Sequence, residues 1–253
     1  MIDQKIDRGI AVVSIKHGKA NALDIELCQG LVSCFEGLRT SDARAIVLTG
    51  QGQMFSAGVD LVRIGAAGAD YVRDFVPWID RLCEAVFYHP KPVLAAINGH
   101  AIAGGAVLAC CADRRIMARG NGRIGVTELL VGVPFPALAF EVLRFAVPAR
   151  HLPEFTYGGA TYDCDAALER GWVDEVVEAD ALMAHTMAAA HQLAQLSPSA
   201  FAETKKQLRL PVIERMERSG AAINESAVKI WAAPETLSVI GDYVARTLKK
   251  SKI

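Results

Sequence analysis

The segment Ala45-Ile-Val-Leu-Thr49 is apolar almost without a break and runs straight into Gly50. A short run with no polar alternation reads as a strand buried on both faces, and such strands belong to parallel sheets covered by helices. Val93–Ile97 and Arg115–Ala118 repeat the pattern, with helical spacing predicted over 70–88 and 104–112. His89-Pro-Lys-Pro92 stops the first of these helices, because proline lacks the amide hydrogen a helix interior needs. Upstream, 2–7 and 10–15 read as two short strands joined at Arg8-Gly9. Asp24 reads as the N-cap of a helix carrying Ile25, Cys28, Leu31, Val32, Phe35 and Leu38 on one face. Strands alternating with helices point to an α/β fold with crossover connections. After Pro134 the pattern turns helical, over 137–145, 164–169 and 180–196. Ser197-Pro198 then opens a further helix, with more helical pattern over 214–232 and 234–248. The boundary is therefore expected near Ser197, between an α/β core (1–196) and a helical region (197–253).

Composition excludes several classes of function. The chain has 253 residues, 52% hydrophobic and 22% charged, too apolar to stay disordered. A formal net charge of −1 provides no global basic field for nucleic acid or an anionic membrane. Cys28, Cys34, Cys83, Cys110, Cys111 and Cys164 contain no C-x-x-C pair. They read as reduced, buried, small hydrophobes in a cytoplasmic protein, without zinc-ligand spacing and with no metal expected. The apolar stretch 93–112 is interrupted by Asn98, Gly99, His100, Gly104 and Gly105, so no membrane span is expected. The start of the chain has no leader character, and Lys249-Lys250-Ser251-Lys252 reads as a solvated basic tail. Gly120-Asn-Gly-Arg-Ile-Gly125 matches a dinucleotide-binding pattern, but β-branched Val126 and Thr127 follow where a helix should begin. Asn121-Gly122 is better read as a type I′ hairpin turn.

Two glycine-containing loops, Met54–Asp60 and Asn98–Gly105, each follow a buried strand and lead toward a helix. Sites in open α/β sheets form outside the carboxyl ends of strands. Two such loops side by side could direct two backbone N–H groups at one oxygen, as an oxyanion hole does. They could equally be two tight strand-to-helix turns.

Phe55-Ser-Ala-Gly-Val-Asp60, Ile97-Asn-Gly-His-Ala-Ile-Ala-Gly-Gly105, Gly18-Lys-Ala-Asn-Ala-Leu-Asp24 and the segment from Ala166 to Val177 together resemble the signatures of the crotonase superfamily, the enoyl-CoA hydratase/isomerase family. The resemblance covers nearly the whole chain. It implies a spiral of repeated ββα units, with C-terminal helices that associate into homotrimers or homohexamers. It also implies an acyl-CoA thioester as substrate, with CoA arriving as part of that substrate and no separate cofactor. The thioester oxygen would accept the N–H groups of Val59 and Gly104. Lys19 and Ala20 match the segment lining the CoA channel, and Ala57 and Leu61 match positions whose backbone meets the adenine. A phosphate-contacting lysine of hydratases falls at Val62, where neighbouring Arg63 could substitute.

Hydratases of this family carry two glutamates. The first falls at Val107 here, and the second matches Glu128, flanked by Val126, Leu129, Leu130 and Val131. One carboxylate facing an apolar wall suits proton transfer between two carbons better than activation of water. The resemblance is thus closest in pattern to Δ3,Δ2-enoyl-CoA isomerases, with Glu128 moving the C2 proton of a 3-enoyl-CoA to C4. A weak hydratase is the alternative, and a non-catalytic acyl-CoA-binding homologue is the alternative of another class. A dehalogenase-type nucleophile would fall at Pro136, Asp60 reads as a helix cap and His100 as structural. Asp70, Tyr71, Asp74 and Tyr157 have no assigned place.

Overall fold

The computed structural model describes residues 1–248. The basic tail from Lys249 onward lies outside the described residues. Ile2–Asp7 (β1) and Ile10–Ile15 (β2) pair antiparallel. Their turn is formed by Arg8 at φ 46° and Gly9 at φ 80°, the two left-handed residues a type I′ turn requires. Asp24 caps Ile25–Arg39 (α1) by accepting the Leu27 N–H at 2.8 Å. Ala45–Thr49 (β3) is buried at all five residues, and Met54–Ser56 (β4) follows. Leu61–Phe87 (α2) leads to Val93–Ile97 (β5), His100–Ile102 (β6), Gly104–Cys110 (α3), Arg114–Ala118 (β7) and Ile124–Gly125 (β8).

Two sheets result. The larger has the order β1-β2-β3-β5-β7 and ends with Glu175–Val177 (β9); every pairing after β1-β2 is parallel. The smaller is β4-β6-β8, also parallel. Each turn of the chain places one strand in the large sheet and the next in the small one: β3 then β4, β5 then β6, β7 then β8. This is the ββα spiral implied by the motifs. Its core joins the inward faces of β2, β3 and β5 to the apolar faces of α1 and α2.

Two local expectations are corrected. The segment 120–125 forms no hairpin. Its flanking strands lie in different sheets, and among the described non-glycine residues only Arg8, Asn21 and Ala103 have positive φ. Neither does it open a helix, so the dinucleotide reading also fails. The helix expected from residue 70 instead begins at Leu61, where Asp60 accepts the Arg63 N–H at 2.9 Å. It is broken at Gly68 (φ 75°, ψ −158°) and then continues through Pro77.

Beyond Gly125 the chain forms a 3₁₀ turn at Glu128–Val131 and the helices Ala137–Ala146 (α4), Leu152–Gly158 (α5), Cys164–Arg170 (α6) and Leu182–Ala194 (α7). Pro198–Arg215 (α8), capped by Ser197, runs through a π-helical segment into Ala221–Trp231 (α9) and on to Pro234–Tyr243 (α10). A buried ionic cluster anchors α8. Asp113 accepts from Lys205 Nζ at 2.6 Å, from Arg209 Nη2 at 2.8 Å and from the Val93 N–H at 2.8 Å. The Arg209 guanidinium also donates to the Phe87 carbonyl and lies over that residue's ring. Helices on both sides of Ser197 share one hydrophobic core, which contains Val212, Ala227, Trp231 and Ile240.

Candidate active site

Each strand of the small sheet delivers one element of the site from its carboxyl end: β4 the Val59 loop, β6 Gly104, and β8 Glu128. Val59, Gly104 and Glu128 all line one cavity of about 530 Å³.

The first loop is fastened to residues 20–24. Leu23 N–H donates to the Gly58 carbonyl at 2.7 Å, and Asp60 N–H donates to the Leu23 carbonyl at 3.0 Å. With those bonds made on either side of it, the Val59 amide faces away from Leu23, as alternate residues of a ladder do. Asn21, itself at φ 47°, holds the same region by donating to the Met54 carbonyl at 2.9 Å. At the second loop, Ala103 sits at φ 51°, ψ −125°, a strained conformation for alanine. It turns the chain so that Gly104 begins α3 with its N–H outside the helical ladder. Neither the Val59 nor the Gly104 amide meets a protein acceptor among the described residues. Close packing fixes the two loops. A Cβ on Gly58 would lie 2.6 Å from the Ile102 carbonyl oxygen and 2.9 Å from Gly104 N, and one on Gly105 would collide with the Ser56 carbonyl. Two free N–H groups on touching loops form the kind of donor pair that a developing oxyanion requires.

Glu128 is 8% exposed, and one carboxylate oxygen, Oε2, has no hydrogen-bond partner. Burial pushes its pKa up to about 7, against the opposing pull of the backbone amides of Glu128 and Thr127. Val107, where hydratases carry a second carboxylate, is 2% exposed and lines the cavity as an apolar wall. Pro136 also lines it and offers no nucleophile.

Lys19, Ala20, Ala57 and Leu61 border the same cavity, as does Val62. Arg63 does not. Its guanidinium is held by Glu26 at 2.5 and 2.7 Å and by Asp24 at 3.3 Å, and it lies over the Tyr71 ring. An arginine neutralised in this way is poorly placed to replace the missing lysine. The imidazole of His17 stands at the rim instead, 2.7 Å from Asp24 Oδ2. Sequence reasoning missed His17, and also Trp231 and Tyr243, which reach the cavity from the C-terminal helices. Trp231 at the end of a helical pattern was visible in the sequence, but the face it presents depends on how α9 packs. Asp70, Tyr71, Asp74 and Tyr157 do not border the cavity. His100 opens β6, at the opposite end of that strand from Gly104. Among the described residues, no group of three or more His, Cys, Asp or Glu side chains is placed to hold a metal ion.

A small parallel sheet presenting two free amides and one buried carboxylate to an apolar cavity is the architecture of the crotonase superfamily. The chain belongs to the enoyl-CoA hydratase/isomerase family, whose sequence model matches residues 5–231. Among its relatives, the probable enoyl-CoA hydratase EchA17 of Mycobacterium tuberculosis is 30% identical over 95% of this chain and 92% of its own. The carnitinyl-CoA dehydratase of Citrobacter koseri is 33% identical, covering 84% of each. The crystal structure of human mitochondrial delta3-delta2-enoyl-CoA isomerase superposes with a TM-score of 0.94, covering 100% of this chain and 99% of that one. At 24% identity that likeness establishes the fold alone.

Proposed function

We propose that the protein shifts the double bond of a 3-enoyl-CoA to the 2-position, with Glu128 as the sole acid–base group. The observation carrying this reading is the isolation of Glu128: buried, one oxygen unpartnered, with Val107 supplying an apolar wall in place of a second carboxylate. Removing a proton α to a thioester moves negative charge onto the thioester oxygen. The N–H groups of Val59 and Gly104 stabilise that charge more than they stabilise the neutral carbonyl, which lowers the barrier. A carboxyl group with a pKa of about 7 takes the C2 proton and returns it to C4 with little bias either way. Lys19 and His17 meet the anionic end of CoA at the rim. Ala20, Ala57 and Leu61 line its path, and Arg63 serves to hold α1 to α2. CoA arrives within the substrate, and no further cofactor enters the reaction. The reading includes a cytoplasmic homotrimer or homohexamer associating through the C-terminal helices of 197–253.

Hydration is the second reading, favoured by the name of the mycobacterial relative. Assaying 3-hexenoyl-CoA isomerisation beside crotonyl-CoA hydration separates the two. In Glu128→Gln, isomerisation is expected to fall by about 10²- to 10⁴-fold while acyl-CoA binding is retained. Unchanged turnover in that variant, or wild-type hydration outpacing isomerisation, would overturn the isomerase reading. Binding without either reaction would identify a non-catalytic homologue.

A further inference from the structure

The cavity has two unlike ends. At the rim, the His17 side chain is 24% exposed and Val62 is 53% exposed. At the inner end, Val133, Ala139 and Trp231 are each 2% exposed or less. Among the described residues, Lys19, Asp60 and Glu128 are the charged side chains lining the cavity besides the His17 imidazole, and of these only Glu128 is buried. The indole N–H of Trp231 donates to the Pro134 carbonyl at 2.8 Å, so the inner end presents hydrocarbon and aromatic surface with that polar atom already satisfied.

We propose that Trp231 is the stop that sets the longest acyl chain the cavity accepts, and that the acyl group taken is an unsubstituted hydrocarbon. This rests on the acyl-CoA reading above. The indole is the largest side chain at the inner end, and its hydrogen bond fixes its plane. Swinging it aside would leave an N–H unpaired in an apolar wall. It is carried by the last residue of α9, which packs on α2 and α4, so helix packing sets the depth of the chamber. Ala139, on α4, lines the same chamber with a small side chain. A larger residue there should shorten the chamber.

The test measures binding of saturated acyl-CoAs, from butyryl to dodecanoyl, to the full-length protein by titration calorimetry. In the wild type, affinity should rise about fourfold per methylene and then level off once the chain reaches the indole. Trp231→Leu should move that break outward by two or more methylenes and tighten the longest ligand about tenfold. Ala139→Leu should move it inward. Breaks at the wild-type length in both variants, with thermal melts confirming that they are folded, would overturn the proposal. If Trp231→Leu does not fold, Trp231→Phe and Ala139→Leu decide the question in the same way. A trimethylammonium-bearing acyl-CoA that binds more tightly than its hydrocarbon counterpart would also overturn it, because Trp231, Phe135 and Tyr243 would then be acting as a cation cage. Saturated ligands undergo no reaction, so a shifted break without isomerase turnover would refute the catalytic reading alone. Wild-type protein that binds no acyl-CoA would refute both.

Discussion

At the scale of single residues, the proposed reaction centres on a carboxylate in an apolar wall. Burial raises the pKa of Glu128 to about 7, and a base must be ionised to act. The free enzyme's kcat/KM is therefore expected to rise with pH through an apparent pKa near 7 and then level off. A pH profile on 3-hexenoyl-CoA checks this, and a plateau already reached at pH 5 would contradict it. The same shift affects stability in the opposite sense. Between its unfolded value of 4.5 and 7, the folded state holds the proton and the unfolded state does not, so stability falls as pH rises through that window. Glu128 and the two glycine loops were legible because each lies in a short contiguous motif. Arg63 was misleading because its partner Glu26 lies on another helix, and contiguous sequence gives no sign of that pairing. His17 gave no signal beyond its neighbours in a rim loop.

At the scale of elements, α8 joins the rest of the molecule through a buried cluster whose charges do not balance. Asp113 holds both Lys205, 6% exposed, and Arg209, 2% exposed. Removing the carboxylate would strand two buried cations. Asp113→Asn is thus expected to lose about 3–5 kcal/mol of stability, measured by urea unfolding. A loss under 1 kcal/mol would show that the cluster is not a structural anchor. The strands were readable from their unbroken apolar runs. The small sheet was not, since β4, β6 and β8 are at most three residues long, too short to carry a periodicity. Asn121-Gly122 is a strong local turn signal, but the strands it separates belong to different sheets. The early start of α2 was obscured by Gly65 and Gly68, residues that lower helix propensity in a window that is in fact capped by Asp60.

At the scale of the whole molecule, the alternation of strands and helices was enough to indicate an α/β fold, and the motifs to indicate the spiral. The division near Ser197 marks a helix start, not a break in the core. Because α8, α9 and α10 share apolar contacts with the earlier helices, the chain is expected to unfold in one cooperative transition. Far-ultraviolet circular dichroism and tryptophan fluorescence in urea should then give coincident midpoints. An earlier fluorescence midpoint would show the C-terminal helices detaching first. Among the described residues, no helix is long and apolar enough to cross a membrane. The buried apolar residues form two clusters, a large one that includes residues of α1, α2 and the C-terminal helices and a smaller one between the large sheet and α7, and some of the larger cluster's residues also line the chamber.

Trp231 and Tyr243 complete that chamber from the far side, and the ribosome makes them long after Glu128. A nascent chain carrying Glu128 and both glycine loops still lacks one wall of the chamber. Because the C-terminal helices share a core with the earlier elements and a domain folds as a unit, the chamber is expected to form only once these helices have been made. A complete chamber therefore reports that synthesis and folding have reached the last helices.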